Sequence, residues 1–294
     1  MFDSMGKVFR DLVDNQAPVQ VVGTINAYCA MLAEKAGCQA IYLSGAGVAN
    51  ASYGLPDLGM TTLNDVLEDA RRITNACSLP LLVDVDTGWG HAFTIARMVK
   101  LMEKAQVAAI HIEDQIVAKR CGHRPNKAIV SSKEMGDRIK AAVDARTNND
   151  FVIMARTDAY AVEGLNAAIE RAQYYVELGA DMIFAEAIQI LDDYRKLTQF
   201  IQVPILANIT EFGKTPLYTR EELAQVGIKL ILYPLSAFRA MSQAALSIYQ
   251  GIIKDGTQKN WLNSMQTRND LYEILDYNNY EKKLDLLMEE QDGK

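Results

Sequence analysis

The 294-residue chain has no long hydrophobic run; nothing in it approaches the ~18 apolar residues a membrane-spanning helix needs. It also lacks an excess of positive charge. With a net charge of −7 and no long basic stripe, it makes a poor partner for nucleic acid or an anionic membrane. Cysteine is sparse: the four (Cys29, Cys38, Cys77, Cys121) show no C-x-x-C spacing, which excludes a disulfide framework and leaves reduced thiols as the simplest reading. The N-terminus is mixed and charged, without the apolar core of a signal peptide, so a cytoplasmic location is expected. No Gly-rich dinucleotide fingerprint follows any apolar run, and no Pro/Gly/Ser-rich linker divides the chain.

What is present is a repeated unit. A helix-like stretch closes near a glycine, a short apolar run follows, and that run ends in polar groups, as in Gly179-Ala180-Asp181-Met182-Ile183-Phe184-Ala185-Glu186. Eight such runs, 19–22, 40–43, 81–83, 108–112, 151–155, 182–185, 205–207 and 230–233, read as buried parallel strands. Helical stretches separate them at 27–35, 62–77, 94–105, 133–146, 165–178, 191–200 and 221–225, and another follows at 236–254. Ser131-x-x-Glu134 and Thr219-x-x-Glu222 carry capping-box signatures. Eight β-then-α units predict a (β/α)8 TIM barrel over one domain, residues 1–294, with a helical extension from about 257. An open doubly wound sheet is the alternative. In the extension, Leu284, Leu287 and Met288 share one helical face and are expected to dock, possible ground being another subunit.

Active sites of such barrels lie at the C-terminal ends of the strands. Those ends carry Ser44-Gly45-Ala46-Gly47, Asp84-x-Asp86, Glu113-Asp114, Arg156-Thr157-Asp158, Glu186, Asn208-Ile209-Thr210-Glu211 and Arg239. Carboxylates gathered in one mouth repel unless a cation intervenes. Asp84 and Asp86, two apart in an extended chain, would face the same way. Oxygen donors without a histidine or cysteine cluster favour a hard cation, Mg²⁺ or Mn²⁺, with Glu113 holding a coordinated water. Arg156 and Arg239 suit substrate carboxylates, Asn208 and Thr210 add neutral hydrogen bonds, and 44–47 offers backbone N–H groups. The substrate so described is a small polycarboxylate. His111, inside a strand, reads as a hydrogen-bonded supporting residue.

The remaining concentration of chemistry is Lys119-Arg120-Cys121-Gly122-His123-Arg124-Pro125, a thiol among cations beside a glycine, which reads as an active-site loop. With Gly54-Leu55-Pro56-Asp57, Ile112-Glu113-Asp114-Gln115, Ala155-Arg156-Thr157-Asp158, Pro204 to Phe212 and Tyr233 to Arg239, it resembles the 2-methylisocitrate lyase family of the isocitrate lyase/phosphoenolpyruvate mutase superfamily. The resemblance covers essentially the whole chain. It implies Mg²⁺-dependent cleavage of 2-methylisocitrate to pyruvate and succinate in the 2-methylcitrate cycle of propionate catabolism. Asp84 and Asp86 would be metal ligands, with Asp57 and Glu113 assisting through water. Ser44, Gly45, Ala46, Cys121, Gly122, Arg156, Glu186, Asn208, Ile209, Thr210, Arg239 and Arg268 would line the substrate site. A last helix exchanged between subunits of a homotetramer, a dimer of dimers, is implied as well.

Two positions depart from the family pattern: Ala46 stands where glycine is expected, and Trp89-Gly90-His91 ends its loop differently. Isocitrate lyase is the nearest alternative, set apart by Lys-Lys-Cys-Gly-His and a longer chain; a non-catalytic scaffold is the alternative of another class. The chemistry needs an acid for the succinate carbanion, a role assigned to a neutral Cys121 beside an anionic substrate, with His123 orienting the loop or reprotonating the thiol. Tyr42, ending the second strand, is the candidate base. Phe184, Leu232 and Pro234 are the candidates for the methyl pocket.

Overall fold

The computed structural model describes residues 3–119, 122 and 127–292, the last four by backbone alone. Eight parallel strands close a barrel in chain order: β1 Val19–Gly23, β2 Ala40–Leu43, β3 Leu81–Asp84, β4 Ala109–Glu113, β5 Val152–Thr157, β6 Met182–Ala185, β7 Ile205–Asn208 and β8 Leu230–Tyr233. The register Val19↔Leu230 to Val22↔Tyr233 joins β8 to β1. This is the (β/α)8 barrel expected from the sequence; the open sheet is excluded by that closure.

The strands are apolar on both faces because both faces are covered. Ile41, Leu43, Val83, Ile110, Ile112 and Ile153 point outward into the layer under the helices. Their neighbours Ala40, Tyr42, Leu82, Ala109, Met154 and Phe184 fill the barrel interior. The helices bury one stripe each: Leu63–Ala76 turns Leu63, Val66, Leu67, Ala70 and Ile73 inward, at helical spacing. Of the two expected capping boxes, Thr219 and Glu222 form theirs in full. Ser131 Oγ accepts the Glu134 N–H at 3.1 Å, but the Glu134 carboxylate pairs with Arg138 at 3.0 Å rather than returning to the cap. Thr62–Asp65 and Thr267–Asp270 complete boxes that use aspartate instead.

A helix absent from the sequence reading, Met5–Gln16, sets Phe9 and Val13 into the cluster inside the barrel. Arg10 fixes it at the N-terminal end of the strands, through the Asp150 carbonyl at 2.9 Å and Asp181 at 2.8 Å, just before β5 and β6. Gly6 allows the approach, since a Cβ there would lie 2.4 Å from the Asp150 carbonyl oxygen.

The chain forms two compact units, dividing between Phe238 and Arg239. The second holds most of the helix Ser236–Asp255, then helices Arg268–Ile274 and Tyr277–Asp292. Inside it Trp261 packs on Gly251, and Tyr272 stacks on Tyr277 with ring centroids 4.2 Å apart. Leu246, Tyr249, Ile253, Leu284 and Leu287 are exposed there.

Phe9 is fully buried at the end of the barrel away from the strand C-termini. Phe9→Ala should therefore lower unfolding stability by about 3–5 kcal/mol, through lost burial and the cavity left behind. Denaturant unfolding reads that loss; turnover per folded molecule should stay within about twofold, because no site residue moves.

Candidate active site

The alternation that makes the interior apolar becomes polar toward the strand C-termini. Along β4 the inward residues are Ala109, His111 and Glu113; along β5, Met154 and Arg156; along β6, Met182 and Phe184, then Glu186. Tyr42, His111 and Phe184 form an aromatic floor, with the His111 ring 5.7 Å from Tyr42 and 5.0 Å from Phe184. Asp84, Glu113, Arg156, Glu186 and Asn208 stand above it, all buried. Arg138, from the helix Ser132–Ala145, holds the end of β4 by donating to the carbonyls of Glu113 and Gln115, each at 2.9 Å.

Asp84 and Asp86 do converge, but not by the extended geometry expected. The chain turns at Asp86, whose φ is +48°, a left-handed conformation uncommon outside glycine. Its N–H donates to Asp84 Oδ1 at 3.0 Å. Both carboxylates then meet the backbone of Gly45, where a Cβ would lie 3.0 Å from Asp86 Oδ1 and 3.1 Å from Asp84 Oδ2. The Gly45 N–H donates to Asp84 Oδ2 at 3.1 Å, so that donor serves the carboxylate rather than a bound anion. Lys119 reaches in and pairs with Asp86 and, at 2.9 Å, with Asp57. Its charge is thus spent on these acids.

Burial pushes the Asp86 carboxyl up to about 6, Lys119 opposing and Asp84 adding to the rise. Burial would raise Asp84 too, but the positive charges His111, Lys119 and Arg156 hold it at about 2. His111 is itself driven down to about 4 by burial, so at neutral pH it is uncharged, and Lys119 and Arg156 are what keep Asp84 ionised. Glu113 is raised to about 8, again by burial, despite Arg156 and Lys119. Its Oε1 accepts no hydrogen bond among the described residues, and Oε2 has only Arg156 Nε at 3.3 Å.

Arg156 is surrounded by acids. Nε donates to Asp158 Oδ2 at 3.0 Å, and Nη2 lies 3.4 Å from both Asp158 Oδ1 and Glu186 Oε2. Its guanidinium carbon sits 5.1 Å over the Phe184 ring. Asn208 Nδ2 donates to Glu186 Oε2 at 3.2 Å. Gly122 packs against the same group: a Cβ there would lie 2.5 Å from Arg156 Nη2 and 2.6 Å from Glu186 Cδ, so only glycine fits.

The other expected positions divide as follows. Ser44 is buried at the end of β2, where its side chain makes no capping bond, and Ala46 is half-buried in the short helix Gly45–Gly47. Thr210 is buried past the end of β7. Ile209 points the other way, into the layer under the helices, so only its main chain faces the route of Asn208 and Thr210. Arg239 and Arg268 belong to the second unit, on helices Ser236–Asp255 and Arg268–Ile274. Cys121 and His123, with Arg120 and Arg124, lie outside the described residues.

Tyr42, the candidate base, is buried in the floor of the mouth. Its hydroxyl lies 3.0 Å from His111 Nε2 and donates to Asp84 Oδ2 at 3.4 Å, while burial and then Asp84 raise its pKa well above 10. Phe184 and Leu232 are buried in the interior, and the Phe184 face is already taken by Arg156.

Sequence reasoning also missed Lys127, whose ammonium is 2.5 Å from Asp158 Oδ1, both side chains being almost fully buried. The spacing Arg156-x-Asp158 on a strand end was the available signal for the bidentate pair. Among the described residues, no three His, Cys, Asp or Glu side chains are arranged as a ready metal-binding group.

The family described as phosphoenolpyruvate phosphomutase matches residues 9–253. A protein of Shewanella oneidensis named 2-methylisocitrate lyase is 63% identical over 287 residues, covering 98% of each chain. The crystal structure of 2,3-dimethylmalate lyase, described as a phosphoenolpyruvate mutase/isocitrate lyase superfamily member, superposes with a TM-score of 0.89 at 31% identity, covering 96% of this chain and 95% of its own. Phosphonopyruvate hydrolase, solved as a complex with oxalate and Mg²⁺, superposes with a TM-score of 0.84 at 27% identity over 95% of this chain and 98% of its own. With the closed barrel and the acid- and arginine-lined mouth already described, these likenesses establish that the chain belongs to the phosphoenolpyruvate mutase/isocitrate lyase superfamily, as a carbon–carbon lyase.

Proposed function

We propose that the chain cleaves 2-methylisocitrate to pyruvate and succinate, the lyase step of the 2-methylcitrate cycle in propionate breakdown, with Mg²⁺ as cofactor and Mn²⁺ as its substitute. The observation that carries this reading is the mouth itself, where oxygen donors converge beside a buried guanidinium. Support comes from the full-length relative of that name and from the Mg²⁺ and oxalate bound by phosphonopyruvate hydrolase.

The residues fit a hard divalent ion. All the donors are carboxylate oxygens, two of them converge at Gly45, and Glu113 presents an unpartnered buried oxygen suited to a coordinated water. Asp84 and Asp86 would bind directly, with Asp57 and Glu113 assisting through water. Mg²⁺ keeps several waters, so two direct protein ligands suffice for it. When bound, the ion supplies Lewis-acid stabilisation of the α-hydroxy-carboxylate that becomes the 2-oxo product. Arg156 takes a second carboxylate of the substrate, and Ser44, Asn208 and Thr210 hold the rest.

Retro-aldol cleavage passes the substrate's hydroxyl proton to a base, the role assigned to Tyr42, breaks the C–C bond and leaves a carbanion on the succinate portion. Cys121 as a neutral thiol donates the proton that quenches it. With Lys119 committed to Asp57 and Asp86, less positive charge is left to ionise that thiol than the loop sequence suggests. The enzyme works in the cytoplasm as a homo-oligomer, a tetramer of paired dimers, and the exposed apolar side chains of the second unit provide the contact surface.

Incubated with 2-methylisocitrate and Mg²⁺, the enzyme should form pyruvate and succinate in equal amounts. Isocitrate should give glyoxylate at a lower kcat/KM, the gap being about 10–200-fold because one methyl is all that differs. Glyoxylate formed as efficiently as pyruvate would refute the substrate assignment, and full turnover after chelation would refute the cofactor. Cys121→Ser should lower kcat by about 10²–10⁴-fold with KM little changed, since serine keeps the shape but is a far weaker acid. Near-normal kcat would place the acid elsewhere. Light scattering at micromolar concentration should give a mass well above 32.6 kDa, and a monomer would contradict the assembly.

A further inference from the structure

We propose that Asp158, held by Lys127, is a positioning residue that fixes the Arg156 guanidinium for a substrate carboxylate. The inference rests on the reading of Arg156 as a carboxylate binder and deepens it. Arg156 and Asp158 are two apart at the end of β5 and project into the same space. Asp158 grips the guanidinium along its Nε and Nη2 edge, at 3.0 and 3.4 Å, while the Phe184 ring lies under its face. Plane and rotation are both set by these contacts. Nη1 makes no hydrogen bond or ion pair with any described residue, so it is the edge left for a ligand.

Asp158 is itself fixed from two sides. Its N–H donates to Asp114 Oδ1 at 2.9 Å, and Asp114 is steadied by the Thr157 hydroxyl at 2.7 Å and the Tyr175 hydroxyl at 3.1 Å. Lys127 Nζ lies 2.5 Å from Asp158 Oδ1, with side-chain exposures of 2% and 0%. The second cation matters electrostatically. Asp158 and Glu186 both lie within 3.4 Å of Arg156, so one guanidinium answers two carboxylates. By neutralising Asp158, Lys127 leaves Arg156 with charge to offer an anionic substrate. Nothing in this arrangement requires either residue to touch the reacting atoms.

The test is a double-mutant cycle, comparing wild type, Asp158→Asn, Arg156→Lys and the double variant, with Lys127→Met and Lys127→Arg alongside. Two readouts are taken, the kcat and KM of cleavage and the affinity for succinate by calorimetry. Asp158→Asn should raise KM and weaken succinate binding roughly tenfold, with kcat falling less than about threefold. Lys127→Met should shift both in the same direction, and Lys127→Arg should restore them. In the Arg156→Lys background, Asp158→Asn should add less than about twofold, because its effect passes through the guanidinium. A fall in kcat with KM and succinate affinity unchanged would show a merely structural role and overturn the proposal, as would effects that multiply in the double variant. If Asp158→Asn does not fold, the Lys127 pair decides by the same split. Failure of the underlying reading looks different: wild type would then neither bind succinate nor form pyruvate from 2-methylisocitrate.

Discussion

The constraint on which this barrel depends is the burial of more negative than positive charge in one mouth. Asp57, Asp84, Asp86, Glu113, Asp158 and Glu186 are answered, among the described residues, by Lys119, Arg156 and Lys127. Two like charges 4 Å apart repel by about 4 kcal/mol at an effective dielectric of 20, so a site of this composition is not neutral ground. The strain shows where it should. Asp86 and Glu113 are pushed up toward protonation, to about 6 and about 8, while Asp84 stays ionised.

The rest of the fold can be seen as support for that arrangement. The aromatic floor of Tyr42, His111 and Phe184 keeps the lower side of the mouth dry and carries no charge at neutral pH. The loop after β3 holds Asp86 by backbone strain, with positive φ at Asp86, Gly88 and Trp89, and the Trp89 indole donates to the Thr61 carbonyl at 3.1 Å to secure it. At the opposite end of the barrel, Phe9 and Val13 fill the space under the strands. Stability and chemistry are therefore placed at different ends of the same strands, the usual division in this architecture.

How much of this was legible in the sequence follows from the reach of each signal. The eight strands were readable because a buried parallel strand is a local property: a short apolar run bounded by turn residues. The strand-end acids were readable once the barrel was assumed, because the inward alternation continues past the last apolar residue. The convergence of Asp84 and Asp86 was read correctly for an incorrect reason, since a left-handed Asp86 does not announce itself in composition. The partnerships were not legible. Lys119 with Asp57, Lys127 with Asp158, and Tyr42 with His111 are separated by 62, 31 and 69 residues, and only the closed barrel sets their geometry. The helix Met5–Gln16 is not announced by any apolar run, since its buried Phe9 and Val13 stand four apart among charged residues that face away from them.

The burial that raises Asp86 and Glu113 also explains why the mouth suits an anion at all. A carboxylate substrate entering a site of net negative charge is repelled, and the low dielectric that makes the repulsion large makes a well-placed cation equally effective. The guanidinium of Arg156 is such a cation only while its charge is not wholly absorbed by the acids around it. Glycine at position 122 brings backbone against Arg156 and Glu186 at a distance no side chain would permit, without adding a competing group. On the proposed reading, the commitment of Lys127 to Asp158 increases the hold that one arginine has on one carboxylate.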